Sequence, residues 1–133
     1  MKALLLILIF ASFKTTKVQA QAVDIGDVTE LKGQAQIVRD DAYQASLDFV
    51  VQQNDLVETN VGRIGITFLD DSVVRLTEHS KLTIDEYVFD PNPSNSKLAL
   101  NFASGTARFI TGKLGAINKE NISIQTPTAN IAI

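Results

Sequence analysis

The stretch Arg63-Ile64-Gly65-Ile66-Thr67-Phe68-Leu69-Asp70-Asp71-Ser72-Val73-Val74-Arg75-Leu76 decides the fold class of this chain. Apolar side chains alternate with small or polar ones along both of its apolar segments, which is the period of a strand with one buried face. Asp70, Asp71 and Ser72 favour a turn, because Asp bonds its own backbone and tolerates left-handed conformations. The stretch therefore predicts a β-hairpin with one face on a core.

The same alternation recurs on both sides of this hairpin. Further strands are predicted at 23–28, 34–39, 48–51, 56–59, 81–89, 97–102, 106–111, 122–124 and 131–133. Gly33 is expected to form a turn between the first two, and both the segment 40–44 and the proline-containing segment 90–96 are expected to be loops. Short strands at spacings of about 8 to 14 residues, with no convincing helix, indicate an all-β fold. A β-solenoid-like stack of short strands and a sandwich both bury alternating faces, so both alternatives stand.

The first twenty residues have the pattern of a separate segment. Met1-Lys2 precedes an apolar run at 3–13, and Val18-Gln19-Ala20 follows a short polar stretch. This order is typical of a secretory signal peptide, here cleaved after Ala20. The alternative, a membrane anchor, needs about 20 apolar residues, and Lys14 interrupts the run before that. We expect residues 1–20 to be a signal peptide and residues 21–133 one all-β domain without a transmembrane helix, exported to the periplasm or the cell surface.

The composition excludes several classes of function. The chain has 133 residues, no Cys, one His and a formal net charge of −3. Without Cys there is no disulfide, thiolate metal site or cysteine nucleophile, and one imidazole is too few for a His-rich metal site. The acidic balance gives no electrostatic basis for binding nucleic acid. We predict no cofactor, no metal and no nucleic-acid partner.

The candidate catalytic residues each have a simpler structural interpretation. Asp70-Asp71 and Asp85-Glu86 are paired carboxylates, which can perform acid–base chemistry. Neighbours in a turn point apart, however, and neighbours on a strand face opposite sides, so we interpret Asp70-Asp71 as turn residues on a solvated surface. His79 is expected in a surface loop, because the adjacent Ser80 lacks the geometry of a catalytic pair. The sequence therefore predicts a protein that is not an enzyme.

Arginines are the remaining candidate site residues. Arg39, Arg63, Arg75 and Arg108 belong to predicted strands or strand edges of an acidic domain. Cations in such positions either pair with acidic neighbours at the surface or hold an anion. The sequence leaves these two interpretations open, with surface pairing favoured.

The order and spacing of several short motifs resemble the FecR domain family over about residues 25–133. These motifs are Gly33-x-Ala35-x-Ile37-Val38-Arg39-Asp40-Asp41, Asp55-Leu56-Val57-Glu58-Thr59, the stretch 62–76, Ser80-Lys81-Leu82-Thr83-Ile84, Leu98-Ala99-Leu100, Gly105-Thr106-Ala107-Arg108-Phe109 and Thr126-Pro127-Thr128-Ala129. The motif positions to which the resemblance gives a structural role are Gly33, Asp55, Thr59, Arg63, Phe68, Asp70, Ser72, Leu76, Gly105, Arg108, Thr126 and Pro127.

Two features depart from the pattern of the family. The family usually has Asp-Gly-Ser in the central hairpin, where this chain has Asp70-Asp71-Ser72. Because Asp accepts a positive φ less readily than Gly, we expect a different turn type here. The family also commonly continues beyond Thr-Pro-Thr-Ala into an apolar stretch, whereas this sequence ends in mid-strand at Ile133, so we expect an incomplete C-terminus.

FecR proteins proper are inner-membrane regulators, in which a cytoplasmic helical region holds a sigma factor and a periplasmic part receives a signal. We do not expect the anti-sigma activity here, and the resemblance implies an exported, non-enzymatic domain that senses or contacts an envelope protein. Ile131 and Ile133 form a candidate partner edge, because an unpaired strand accepts a partner strand. The alternative is a carbohydrate or cell-wall binding module that stacks sugars on Tyr43, Tyr87 and Phe89.

Overall fold

The computed structural model describes residues 23–92, 95–113 and 119–127. Nine β-strands and a 3-10 turn at Lys119–Asn121 are its described regular elements, which confirms the all-β prediction. The strands are β1 Asp24–Val38, β2 Ala42–Gln44, β3 Val50–Gln52, β4 Leu56–Phe68, β5 Val73–Leu76, β6 Lys81–Val88, β7 Lys97–Ser104, β8 Ala107–Ile110 and β9 Ile122–Gln125.

The strands form one sheet that divides into two arms. The long strands β1 and β4 belong to both arms and pair with each other from Gly26–Phe68 to Val38–Leu56. In the first arm, β1 also pairs with β2, while β4 pairs with β6 and the order continues through β7 to β9. In the second arm, β1 pairs with β3, and β4 pairs with β5, which pairs with β8. All the described ladders are antiparallel except β7–β9.

A bulge at Gly33 lies between the two arms. Gly33 has a φ of 75°, and the β1–β4 register shifts between Gly33 and Ala35. A Cβ atom at Gly33 would lie 2.5 Å from the carbonyl oxygen of Val61, so the close approach of the two strands also requires glycine. The predicted turn at Gly33 is therefore wrong, because the bulge keeps β1 continuous. The predicted strands at 56–59 and 63–69 are likewise one strand, β4.

The two arms enclose a single apolar core. The alternation predicted for the central hairpin is confirmed, since Ile64, Ile66 and Phe68 are buried. Phe68 of the second arm stacks on Tyr87 of the first arm, with ring centroids 5.0 Å apart. The described strands surround this core as one open sheet, in which every ladder except β7–β9 is antiparallel. The largest fully buried side chains are Val28, Ile37, Val51, Val57, Ile64, Ile66, Val74, Leu76, Leu82, Ile84, Leu98 and Leu100.

The remaining strands follow the sequence closely. Strands β5 to β9 begin and end within two residues of their predicted bounds, whereas β2 occupies a segment predicted as a loop.

In the residues that the structure describes, no helix has the length and apolar character needed to cross a membrane. The signal-peptide prediction for residues 1–20 and the predicted strand at 131–133 lie outside the described residues.

Candidate functional site

A buried polar cluster holds the tip of the β4–β5 hairpin. Asp70 is fully buried, and its carboxylate accepts hydrogen bonds from the hydroxyls of Tyr87, at 2.7 Å, and Ser72. The backbone N–H of Asp70 donates to the Tyr87 oxygen at 3.0 Å. Burial, and then the hydrogen bond to Asp70, raises the pKa of Tyr87 well above its ordinary value. The Tyr87 hydroxyl therefore stays protonated and remains a donor.

This cluster corrects three sequence-based expectations. Asp70 is not on a solvated surface, because its carboxylate is satisfied inside the protein by Tyr87 and Ser72. Tyr87 is a core residue and cannot present its ring to a sugar, so its assignment to a stacking site is wrong. Asp71 adopts a φ of 68°, so the left-handed position usually filled by Gly is kept here by an exposed Asp.

The same cluster forms hydrogen bonds with the segment that follows β8. The backbone N–H of Gly112 donates to the Ser72 hydroxyl at 2.8 Å, and the N–H of Lys113 donates to the Asp70 carbonyl at 2.9 Å. Ser72 thus links two segments 40 residues apart in sequence. Asp70 and Ser72 thus stabilise the fold of the hairpin and of the segment that follows β8.

A buried ion pair joins the end of β1 to the turn before β4. Both carboxylate oxygens of the fully buried Asp55 accept hydrogen bonds from Arg39, at 2.8 and 2.7 Å. The Asp55 carboxylate also accepts the backbone N–H of Gln52 at 2.8 Å. Arg39 lies 5.7 Å from the ring centroid of Tyr43 and 5.6 Å from that of Phe49. Because its guanidinium is paired with the Asp55 carboxylate, Arg39 stabilises this corner and does not bind an external anion.

Motif residues also fix the loop between β5 and β6. The Thr59 hydroxyl donates to the carbonyl of Thr77 at 2.6 Å and accepts the N–H of Ser80 at 2.9 Å. The N–H of Thr106, which follows Gly105, donates to the Ser80 hydroxyl at 3.1 Å. Gly105 has a φ of 93°, which places it in the turn where the chain leaves β7 for β8. The buried Ser80 is thus a structural residue, and His79 lies exposed in this loop as predicted.

The outer face of the second arm is basic. Gly65 lacks a side chain, and Arg75 donates across it to Glu30 at 2.9 Å. Arg108 on β8 is aligned with Arg75, and Arg63 on β4 is aligned with Lys32. Within the described ranges, neither Arg63 nor Arg108 forms an ion pair, and both are exposed. Surface pairing, the favoured interpretation, therefore holds for Arg75 and is not observed for Arg63 or Arg108.

Strand β8 forms one edge of the second arm in the part of the chain that the structure describes. Strand β8 pairs with β5 on one side, and no other described strand pairs with it. Phe109 points into the core, while Ile110 is 39% exposed beside Arg108. The described part of the chain contains no group of three or more residues placed to hold a metal ion. The described part of this arm thus exposes a strip of arginine side chains next to the strand edge of β8.

The FecR protein family model matches residues 55–133 of the chain. This protein belongs to the FecR family. The match begins at the buried Asp55 and includes the central hairpin, Gly105, Arg108 and Thr126-Pro127, which follow β9. The family is a regulatory or sensing family and is not known for enzymatic activity, and membership supports a role in envelope sensing or signalling. No curated protein and no solved structure significantly matches the chain.

The other residues predicted from the sequence have varied locations. Tyr43 lies on β2, where its hydroxyl donates to Asp40 at 3.0 Å and lowers the pKa of that carboxyl. Phe89 follows β6 and is 41% exposed. Ile131 and Ile133, the candidate partner edge, lie outside the described residues. The sequence indicated Arg63 and Arg108 as motif positions but gave no signal that they share one face, because that depends on strand order.

Proposed function

We propose that this protein is an exported, non-enzymatic FecR-type domain that binds an envelope protein through the edge and outer face of its second arm. The proposal rests on strand β8. This strand has one ladder partner among the described residues, and it exposes Arg108 and Ile110. An open strand edge offers backbone donors and acceptors to a strand of the partner.

Charge gives the proposed contact its specificity. Arg108 and the aligned Arg75 lie on the same face as Ile110, and Glu30 is the acidic group that Arg75 contacts. We therefore expect the partner segment to carry an acidic residue opposite Arg108 and an apolar one against Ile110. Complementary charge at such an edge fixes register and accelerates association more than it adds affinity.

A capture experiment with matched variants tests this function. The purified protein is immobilised and exposed to a solubilised envelope extract, in parallel with Arg108→Glu/Ile110→Lys and with the control Val88→Lys/Lys97→Glu. The two double variants change the net charge equally, and all four positions are exposed strand residues. We expect the parent and the control to retain the same discrete protein, and the β8 variant to lose it. Equal capture by all three, or no capture by the parent, would contradict the proposal.

The predicted edge at Ile131 and Ile133 can be compared in the same assay. An Ile131→Lys/Ile133→Lys variant should keep the partner if β8 is the docking edge, because Arg108 and Ile110 are unchanged in it. Loss of the partner in this variant alone would move the interface to the C-terminal segment.

A further inference from the structure

A polar cleft of about 620 Å³ lies on the outer face of the first arm. Its floor is one register row that crosses four strands, formed by Gln44 of β2, Gln36 of β1, Glu58 of β4 and Lys81 of β6. We call it the amide cleft, because Gln34 and Asn60 add two further side-chain amides to its lining. Its volume is within the range of about 300–1,000 Å³ that is typical of small-molecule sites.

The cleft is a consequence of the bulge between the two arms. The register of β1 and β4 slips between Gly33 and Ala35, next to Gln34. The backbone N–H of His79 donates to the carbonyl of Asn60 at 3.0 Å, which holds the β5–β6 loop beside the opening. The loop is fixed in turn by the buried hydrogen bonds of Thr59 with Thr77 and Ser80. The cleft is therefore built from ordered elements rather than from a mobile loop.

The lining chemistry limits the class of ligand. The amide side chains of Gln34, Gln36 and Gln44 make no hydrogen bond within the described chain, so each keeps its donors and its acceptor. Glu58 lies 3.9 Å from the ammonium of Lys81, so the floor carries no net charge. Among the described lining residues, the apolar ones are alanines. The cleft thus suits an uncharged ligand with many groups that both donate and accept hydrogen bonds.

We propose that the amide cleft binds an N-acetylated oligosaccharide. Sugar hydroxyls and acetamido groups donate and accept hydrogen bonds, as side-chain amides do. An anionic ligand would need a cation that is not already beside a carboxylate, and a peptide would need pockets for its side chains. The cleft is on the first arm, so the proposal does not depend on the protein contact proposed for the second arm. It also requires neither Tyr87 nor Phe89.

Isothermal titration with two defined probes tests the proposal. The purified protein is titrated with an N-acetylglucosamine tetramer and with a glucose tetramer, and a tetra-alanine peptide serves as the non-sugar probe. We expect saturable binding of the acetylated tetramer, weaker binding of the glucose tetramer and none of the peptide. High salt should leave the affinity unchanged, because no net charge is involved.

Matched variants locate the site. Gln36→Ala/Gln44→Ala should weaken binding by at least about tenfold, since it removes two amides that each contribute hydrogen bonds. Asn101→Ala is the control, because this exposed amide on β7 is not among the residues that line the cleft. Its affinity should equal that of the parent, and unfolding of both variants should occur at the parent's temperature. Absence of saturable sugar binding, equal affinity in the Gln variant, equal binding of both tetramers, or preference for the peptide would each overturn the proposal.

Discussion

Tyr87 connects the two arms through both ends of its side chain. Its ring stacks on Phe68, and its hydroxyl bonds the carboxylate and the backbone N–H of the buried Asp70. A buried carboxylate that loses one of its partners is costly, because no water replaces the lost bond. The hairpin tip therefore depends on a residue that belongs to another strand.

Removing the hydroxyl should weaken the fold measurably. We expect Tyr87→Phe to lower the free energy of unfolding by about 1–3 kcal/mol, because Asp70 loses a donor to its carboxylate and an acceptor for its N–H. Urea denaturation measures the change. Tyr43→Phe is the control, since Tyr43 is exposed and should change the free energy of unfolding little. Equal stability of the two variants would show that the Tyr87 hydroxyl contributes nothing net.

The same group predicts an alkaline loss of stability. The folded state raises the pKa of Tyr87 above its ordinary value of 10.0, so the unfolded chain releases this proton first as the pH rises. The stabilisation is complete below about pH 10 and is lost progressively above it. The parent should lose stability more steeply than Tyr87→Phe in urea titrations above pH 10. Parallel slopes for the two proteins would contradict the account.

The sequence alone did not predict which polar side chains pair inside the protein. The turn-forming character of Asp70, Asp71 and Ser72 was predicted correctly, because it depends on local chemistry. The burial of Asp70 depends on Tyr87, and that of Asp55 depends on Arg39, 16 residues away. Such partners are brought together by strand register, which one sequence does not specify.

At the scale of elements, the bulge between β1 and β4 organises the sheet. Alternation in the sequence assigned the buried faces of Ile64, Ile66 and Phe68 correctly, because the strand period is local. The alternation did not show that β1 and β4 each continue through the bulge, so each was predicted as two separate strands. A bulge shifts the phase of alternation by one residue, and that shift resembles the end of a strand.

Alanine substitution of two glycines should distinguish backbone strain at the bulge from a steric clash without such strain. Gly33→Ala should lower the free energy of unfolding by about 1 kcal/mol or more, since its φ is positive and its Cβ would meet backbone. Gly65→Ala is the comparison, because Gly65 is not among the residues of positive φ and its Cβ would lie 2.9 Å from the Cβ of Glu30 rather than against backbone. Thermal unfolding of both variants checks this, and an equal or larger loss at Gly65 would be inconsistent with a strained bulge.

At the scale of the whole molecule, the shared strands β1 and β4 present two outer faces with different chemistry. One face carries the amide cleft, and the other carries Arg63, Arg75 and Arg108 beside the open edge of β8. The sequence predicted the all-β class and the FecR family, but the two faces depend on strand order. That order is set by long-range pairing, such as that of β5 with β8.

Export is a prediction about the molecule as a whole. We expect the protein recovered from the periplasmic or extracellular fraction to begin at Gln21, because Val18-Gln19-Ala20 suits a signal peptidase. Intact-mass measurement of the fractionated protein tests this. Recovery of residues 1–20 on a cytoplasmic protein would rule out the proposed envelope function.

Photo-crosslinking in living cells tests whether the β8 edge contacts a partner protein. A photoreactive residue is placed at Ile110 on the β8 edge and, as the control, at Val88 on β6, two exposed positions of nearly equal accessibility, 39% and 38%. We expect one discrete protein adduct from position 110 and none from position 88. No adduct from position 110, or the same adducts from both positions, would contradict it.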